Sequence, residues 1–220
     1  MNLFYRYYKK KNKPVIIFTH GFGVNHDFLK YQTNHFKKKY SVLIWDLNSH
    51  GKSEGPLDLN IFVKSLNSII EKEQINNATL VGHSLGGYIS AIYTSRHPKR
   101  VKKLILINAP YKMDIITLFK LLFSSIIPFK GENRIIAAIK KKYPNHRIIR
   151  LLLQRLITRA KNILVPTILI ISKQDEIVKP ENSIRYSEKI KNCKVILVDG
   201  THNIPRKNPK SINKILDKVI

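Results

Sequence analysis

Ala78-Thr79-Leu80-Val81-Gly82-His83-Ser84-Leu85-Gly86-Gly87 is the stretch that decides the fold. Its apolar start reads as a buried strand, and Gly87 to His97 reads as a helix that Pro98 stops. Between the two stands Gly-x-Ser-x-Gly. Such a turn is too sharp for a Cβ on either side of the serine, and its strain lifts the Ser84 hydroxyl above the sheet edge. The helix behind then aims its positive amino-terminal end at the reacting centre. A tight turn in a surface loop explains neither the strand before the motif nor the helix after it.

A serine hydroxyl is a weak nucleophile without a base, an orienting carboxylate and an oxyanion hole. On a strand–elbow–helix scaffold the acid and then the base follow the serine along the chain. Thr167 to Ile171 reads as a buried strand and leads to Asp175. Val195 to Val198 reads as another and leads to Asp199-Gly200-Thr201-His202. Ser84, Asp175 and His202 are therefore the expected catalytic residues. Val15 to Phe18 is a further strand, followed by Thr19-His20-Gly21-Phe22-Gly23. The backbone amides of Phe22 and of Leu85, the residue after the nucleophile, are the expected oxyanion donors. Asp114 is the alternative acid, standing farther from its strand. His83 reads as structural because the neighbour of an elbow serine points elsewhere. Asp46, His50 and Ser53 read as braces of one loop.

Strand-like and helix-like segments alternate through the 220 residues, which argues for a parallel α/β sheet. The expected strands lie near 3–8, 14–19, 41–46, 78–83, 102–108, 166–172 and 194–199. The expected helices lie near 27–38, 59–73, 86–97, 181–190 and 209–219. Between Ile107 and Pro166 stand about 55 residues, against a usual connection of roughly 2–6. Residues 111–164 therefore read as an insertion into a core made of 1–110 and 165–220, a single domain overall. In this insertion Arg147, Arg150, Arg155 and Arg159 are spaced among apolar residues as in a basic amphipathic helix. Ile115 to Phe129 is mostly apolar, and neither it nor the arginine-spaced stretch reaches the roughly 20 residues of a membrane span.

His20-Gly21-Phe22-Gly23, Asp46-Leu47-Asn48-Ser49-His50-Gly51-Lys52-Ser53, Gly82 to Gly87, the strand end at Asp175 and Gly200-Thr201-His202 together resemble the α/β-hydrolase family. The likeness is to its small serine esterases and monoacylglycerol-lipase-like members, and it runs from Pro14 to about Pro209. Ser172 and Thr201 stand where members often carry Gly and a smaller residue. The resemblance implies an α/β-hydrolase fold, a mostly parallel central sheet flanked by helices with residues 111–164 as a helical cap. It implies a carboxylic ester hydrolase acting on small acyl esters or monoacylglycerol-like lipids through an acyl-enzyme on Ser84. Ser84 sets the chain apart from the dehalogenases and epoxide hydrolases, whose nucleophile is Asp. A thioesterase or acyltransferase would use the same triad, and a non-catalytic binding protein can share the fold.

Lys and Arg number 40 against 14 Asp and Glu, a formal net charge of +26. The basic runs are spread along the chain, from Lys9 to Lys13, Lys37 to Lys39, Lys99 to Lys103 and Lys140 to Lys142. With no nucleic-acid-binding signature in sight, dedicated nucleic-acid binding is not expected. Steering of anionic substrates and weak contact between the basic cap and anionic membranes are the readings of this charge. No spacing of His, Asp and Glu matches a metal-ligand set, and no cofactor is expected. Met1 to Lys13 lacks the apolar core of a signal peptide, and Cys193 is the single cysteine. A cytoplasmic protein, peripheral at the membrane if the cap touches lipid, is the expectation.

Overall fold

The computed structural model describes residues 2–112 and 162–220. Most of the expected cap, including its arginine-spaced helix and Asp114, lies outside the described residues. The described elements, in chain order, begin with β1 (Tyr5–Tyr8), β2 (Val15–Thr19), α1 (Lys30–Phe36), β3 (Ser41–Trp45) and α2 (Leu59–Lys72). Next come β4 (Ala78–His83), α3 (Leu85–Arg96), β5 (Val101–Ile107) and β6 (Thr167–Ser172). The last are α4 (Pro180–Ile184), β7 (Cys193–Val198), α5 (Ile204–Lys207) and α6 (Pro209–Val219).

The strands form one sheet in the order β1-β3-β2-β4-β5-β6-β7. β1 is antiparallel to β3, and every other pairing is parallel. β3 and β4 are buried along their whole length and β2 at all but Val15, and they read as near-continuous apolar runs, as a sheet covered on both faces requires. Alternate side chains sort to two cores. Ile17, Leu43, Leu80, Leu104 and Leu169 pack with α2 and α3, through residues such as Phe62, Leu66, Ile89 and Ile92. Ile16, Phe18, Val42, Val81 and Ile105 pack with Phe36 of α1 and Ile212 and Leu216 of α6.

α2 starts where the Asp58 carboxylate accepts the Asn60 and Ile61 amides at 2.9 and 3.1 Å. Its buried residues Leu59, Phe62, Val63, Leu66, Ile69 and Ile70 fall on one stripe. α3 differs, since all its residues from Leu85 to Ser95 are buried. It lies over the sheet centre because Gly86 and Gly87 leave its first turn bare toward the strands. A Cβ on Gly82 would stand 2.5 Å from the Gly86 carbonyl oxygen, and one on Gly86 only 2.3 Å from that of Thr19. Backbone-to-backbone packing at these two positions brings the helix onto β4 and β2.

The segment expected as one helix over 181–190 winds differently. α4 stops at Ile184, and Tyr186, Ser187 and Lys189 each bond three residues back, to Ser183, Ile184 and Tyr186. The reason is side-chain competition. Ser187 Oγ donates to the Ile184 carbonyl at 2.7 Å, Ser183 Oγ to Ala109 at 2.8 Å, and the buried Tyr186 hydroxyl to Pro110 at 3.0 Å. The helix expected over 27–38 is likewise divided, into a 3-10 turn at His26–Leu29 and α1. α5 was not anticipated from sequence at all.

Gly86→Ala is expected to destabilise the fold by about 1–3 kcal/mol through backbone overpacking. A denaturant midpoint equal to that of the wild type would show that α3 has slack at this contact.

Candidate active site

Ser84 links β4 to α3 with φ 52° and ψ −122°. A non-glycine residue rarely adopts such a conformation, so the surroundings must hold it there. The Ser84 amide donates to the Ile107 carbonyl at 2.9 Å, and the Ser84 carbonyl accepts the Tyr88 amide at 3.1 Å. The strain therefore sits on the serine itself, while the flanking glycines provide the close approach. Leu85 opens α3, so its amide is among the helix-end donors with no acceptor inside the helix.

The loop after β2 runs against this elbow. A Cβ built on Gly21 would lie 3.2 Å from the Ser84 Cβ. His20, fully buried, fixes that loop. The Leu47 amide donates to its Nε2 at 3.1 Å, which leaves the proton on Nδ1 to bond the Gly21 carbonyl at 2.7 Å. In a planar trans peptide the Phe22 N–H points opposite to the Gly21 carbonyl, away from His20. Sequence reading credited the glycines here and missed this role of His20.

His202 and Asp175 follow β7 and β6, so they emerge at the same end of the sheet as Ser84. Asp175 Oδ2 accepts His202 Nδ1 at 2.8 Å. Its other oxygen accepts the amides of Ile177 and Val178 at 2.9 and 2.8 Å. The carboxylate is held on both sides, and the imidazole Nε2 is left to act as acceptor. Gln174 ties the two loops, its amide donating to the Gly200 carbonyl at 3.1 Å and its Oε1 accepting the Gly200 amide at 2.5 Å.

These observations meet what comparison with known proteins finds. A sequence profile described as alpha/beta hydrolase fold matches residues 14–126. The chain belongs to the alpha/beta hydrolase family. A Mycoplasma genitalium protein carrying the provisional name esterase/lipase 2 is 33% identical over 111 residues, 48% of this chain and 41% of that protein. Human epoxide hydrolase 4 is 29% identical over 107 residues, 46% of this chain and 30% of its own length. The chain thus spans less than half the length of these relatives. Among solved structures, an enol-lactonase from Burkholderia xenovorans superposes with a TM-score of 0.80 at 19% identity, over 98% of this chain and 95% of its own. A lipase-esterase related protein from Clostridium acetobutylicum gives 0.80 at 22% identity, over 99% of both chains. At these identities the structural likeness establishes the α/β-hydrolase fold alone.

In this family member two more side chains serve the His202 loop. The His202 carbonyl accepts His83 Nε2 and Asn108 Nδ2, each at 2.9 Å. Asn108 also donates to Ser172 Oγ at 3.0 Å and accepts the Ser172 amide at 2.8 Å. It does so from a left-handed backbone, φ 50°, at the end of β5. Asparagine tolerates that conformation, and its place after a buried strand was the one available sequence signal. The His83 ring stacks on Phe28 with centroids 4.8 Å apart and stands 4.8 Å from the His202 ring. Its donated Nε2 proton leaves it a brace rather than an acceptor at that atom.

Asp46 braces the loop after β3. Its Oδ1 accepts the His26 amide and His26 Nδ1 at 2.7 and 2.9 Å, and its Oδ2 accepts the Lys52 amide at 2.9 Å. Ser53 Oγ donates to the Asp46 carbonyl at 2.7 Å, and His50 Nδ1 to the Asn48 carbonyl at 2.9 Å. Among the described residues, no group of three or more His, Cys, Asp and Glu is arranged to hold a metal ion, and no helix is long and apolar enough to cross a membrane.

Burial holds His20 down to about 4 from 6.5, and burial together with the neighbouring His202 holds His83 well below that ordinary value. The unfolded chain binds protons near 6.5 that the folded chain refuses, so stability is full above that pH and falls as pH drops toward 4. For His20 the loss amounts to roughly 3 kcal/mol. Urea midpoints measured between about pH 7 and 4.5 should fall, and His20→Asn should flatten part of that slope. The same slope in both proteins would show that His20 takes no part in it.

Proposed function

We propose that this chain is a serine-dependent hydrolase of carboxylic esters, with small acyl esters or monoacylglycerol-like lipids as substrates. The observation that carries the reading is the 2.8 Å bond from His202 to a carboxylate already fixed by two backbone amides. That pair leaves the sheet at the same end as the strained Ser84. The esterase and lipase names among the relatives support it, and Ser84 stands where the resemblance to epoxide hydrolases would call for Asp.

The proposed mechanism is two-step acyl transfer. His202 Nε2 takes the Ser84 hydroxyl proton while Oγ forms a bond to the ester carbonyl carbon. The carbonyl oxygen gains the charge, and the Phe22 and Leu85 amides stabilise it. The tetrahedral intermediate collapses, the ester C–O bond breaks, and His202 gives its proton to the leaving alcohol. Water, deprotonated by His202, then cleaves the acyl-enzyme to the acid and free Ser84. Asp175 keeps the imidazole in the required tautomer and stabilises its cationic form. His83 and Asn108 hold the histidine's backbone and are positioning residues. Residues 111–164 complete the proposal as a cap that receives acyl chains. Contact of Arg147, Arg150, Arg155 and Arg159 with anionic membranes is the alternative reading of the charge, and it would place lipid at the Ser84 end.

Ser84→Ala should abolish hydrolysis of p-nitrophenyl esters and covalent labelling by a fluorophosphonate, with an unchanged circular dichroism spectrum. Asp175→Asn should lower kcat by up to about 10⁴. Labelling that persists in Ser84→Ala would remove the serine nucleophile from the reading.

Asn108→Ala deletes one of two donors to the His202 carbonyl and strands the buried Ser172 amide. It should cost about 1–3 kcal/mol of stability and lower kcat with KM nearly unchanged. A loss confined to KM would instead assign Asn108 to substrate binding.

A further inference from the structure

We propose that the end of the sheet opposite Ser84 is a docking surface for anionic lipid membranes. This rests on charge placement and topology and is independent of the proposed reaction. β2 to β7 are mutually parallel, so they all begin at one end. The basic runs that look scattered in sequence stand just before those beginnings. Lys10 and Lys13 precede β2, and Lys38 and Lys39 precede β3. The register sets Val15 beside Ser41, and the four lysines line one open cleft of about 460 Å³ with Pro14 and Tyr40. Lys99 and Lys102 flank the start of β5, and Lys191 and Lys194 that of β7. All of these lysines are exposed.

Acidic groups at this end do not balance them. Glu71 and Glu73 close α2, Glu188 precedes β7, and Asp217 lies near the end of α6. Two of these four are engaged: Glu73 accepts the Tyr5 hydroxyl at 2.6 Å, and Asp217 pairs with His35 at 2.9 Å. Among the described residues the strand beginnings therefore carry an excess of positive charge, across a width of roughly 30 Å.

The chemistry of this end fits a layer of lipid headgroups better than a nucleic acid. Lysine acts as a hydrated point charge that attracts phosphate without reading its geometry. The described helices follow strand ends on the Ser84 side, so their amino termini, the ready phosphate sites of a fold, face away. Base stacking needs presented aromatic rings. Here Lys37 lies 4.8 Å over the Tyr8 ring, and Lys9 lies 5.9 Å over that of Tyr7. A bilayer on this surface leaves Ser84 facing the aqueous phase.

The test is co-sedimentation of the full chain with vesicles of phosphatidylcholine, alone or mixed with phosphatidylserine. Binding should require phosphatidylserine. The combined variant Lys10→Glu, Lys13→Glu, Lys38→Glu, Lys39→Glu should weaken it at least about tenfold. The same reversal at Lys52, Lys179, Lys207 and Lys210, exposed lysines toward the Ser84 end, should leave it within about twofold. Circular dichroism and thermal melting check folding, and Lys→Gln at the same four positions replaces the reversal set if that set does not fold. The proposal is overturned by no binding to either vesicle, by equal loss in both sets, or by loss only on reversing Arg147, Arg150, Arg155 and Arg159. Tighter binding to an oligonucleotide than to the mixed vesicles would overturn it in favour of nucleic acid. None of these outcomes touches the Ser84 labelling experiment, so the two readings fail separately.

Discussion

Parallel pairing of β2 to β7 is the constraint on which the rest of this molecule depends. It sends the carboxyl ends of all those strands to one edge of the sheet and their amino ends to the other. Of the loops that leave the first edge, those after β2, β4, β6 and β7 carry Gly21, Ser84, Asp175 and His202. Residues as far apart in sequence as Gly21 and His202 come to the same edge because parallel pairing leaves them no other place. The opposite edge collects lysines by the same rule. One hydrogen-bonding pattern thus separates a chemical end from a charged end.

The site is built less from reactive groups than from what holds them. Ser84 keeps an unfavourable backbone because α3 packs through bare backbone against β4 and β2. Asp175 is fixed by two amides before it meets His202. His20 and His83 are buried, and burial keeps them neutral, which preserves the tautomers their hydrogen bonds need. A charged imidazole at either position would carry a desolvation cost, and the Asp46 Oδ1 that stands 3.7 Å from His20 Nε2 is already bonded to His26. These histidines tie loop geometry to pH, and the protein gains a rigid frame at the cost of tolerance to acid.

Much of the fold was legible in the chain. Apolar β-branched runs such as Val15–Phe18 and Thr167–Ile171 fixed the strands to within a residue or two, because burial on both faces leaves little else to write there. Gly82, Ser84 and Gly86 announced the elbow, since few sequences combine bare backbone with a lone hydroxyl between a strand and a helix. Asp175 and His202 were legible as residues at strand ends. Their 2.8 Å bond was not. The winding after Ile184 was also hidden, because it depends on Ser183 and Tyr186 reaching the loop after β5, more than seventy residues back in the chain.

The sequence by itself determined which segments are strands, which serine stands on the strained turn, and that Asp175 and then His202 follow strands further along, because these follow from local pattern and spacing. Tertiary structure alone decided which side chains share a partner. Asn108 after β5, His83 of β4 and the His202 carbonyl after β7 meet across three strands, and no local pattern encodes that meeting. It also decided where one set of charges lies. Lys10, Lys13, Lys38, Lys39, Lys99, Lys102, Lys191 and Lys194 are dispersed along the chain, but in the fold they stand at one edge, because parallel strands turn distant sequence positions into neighbours.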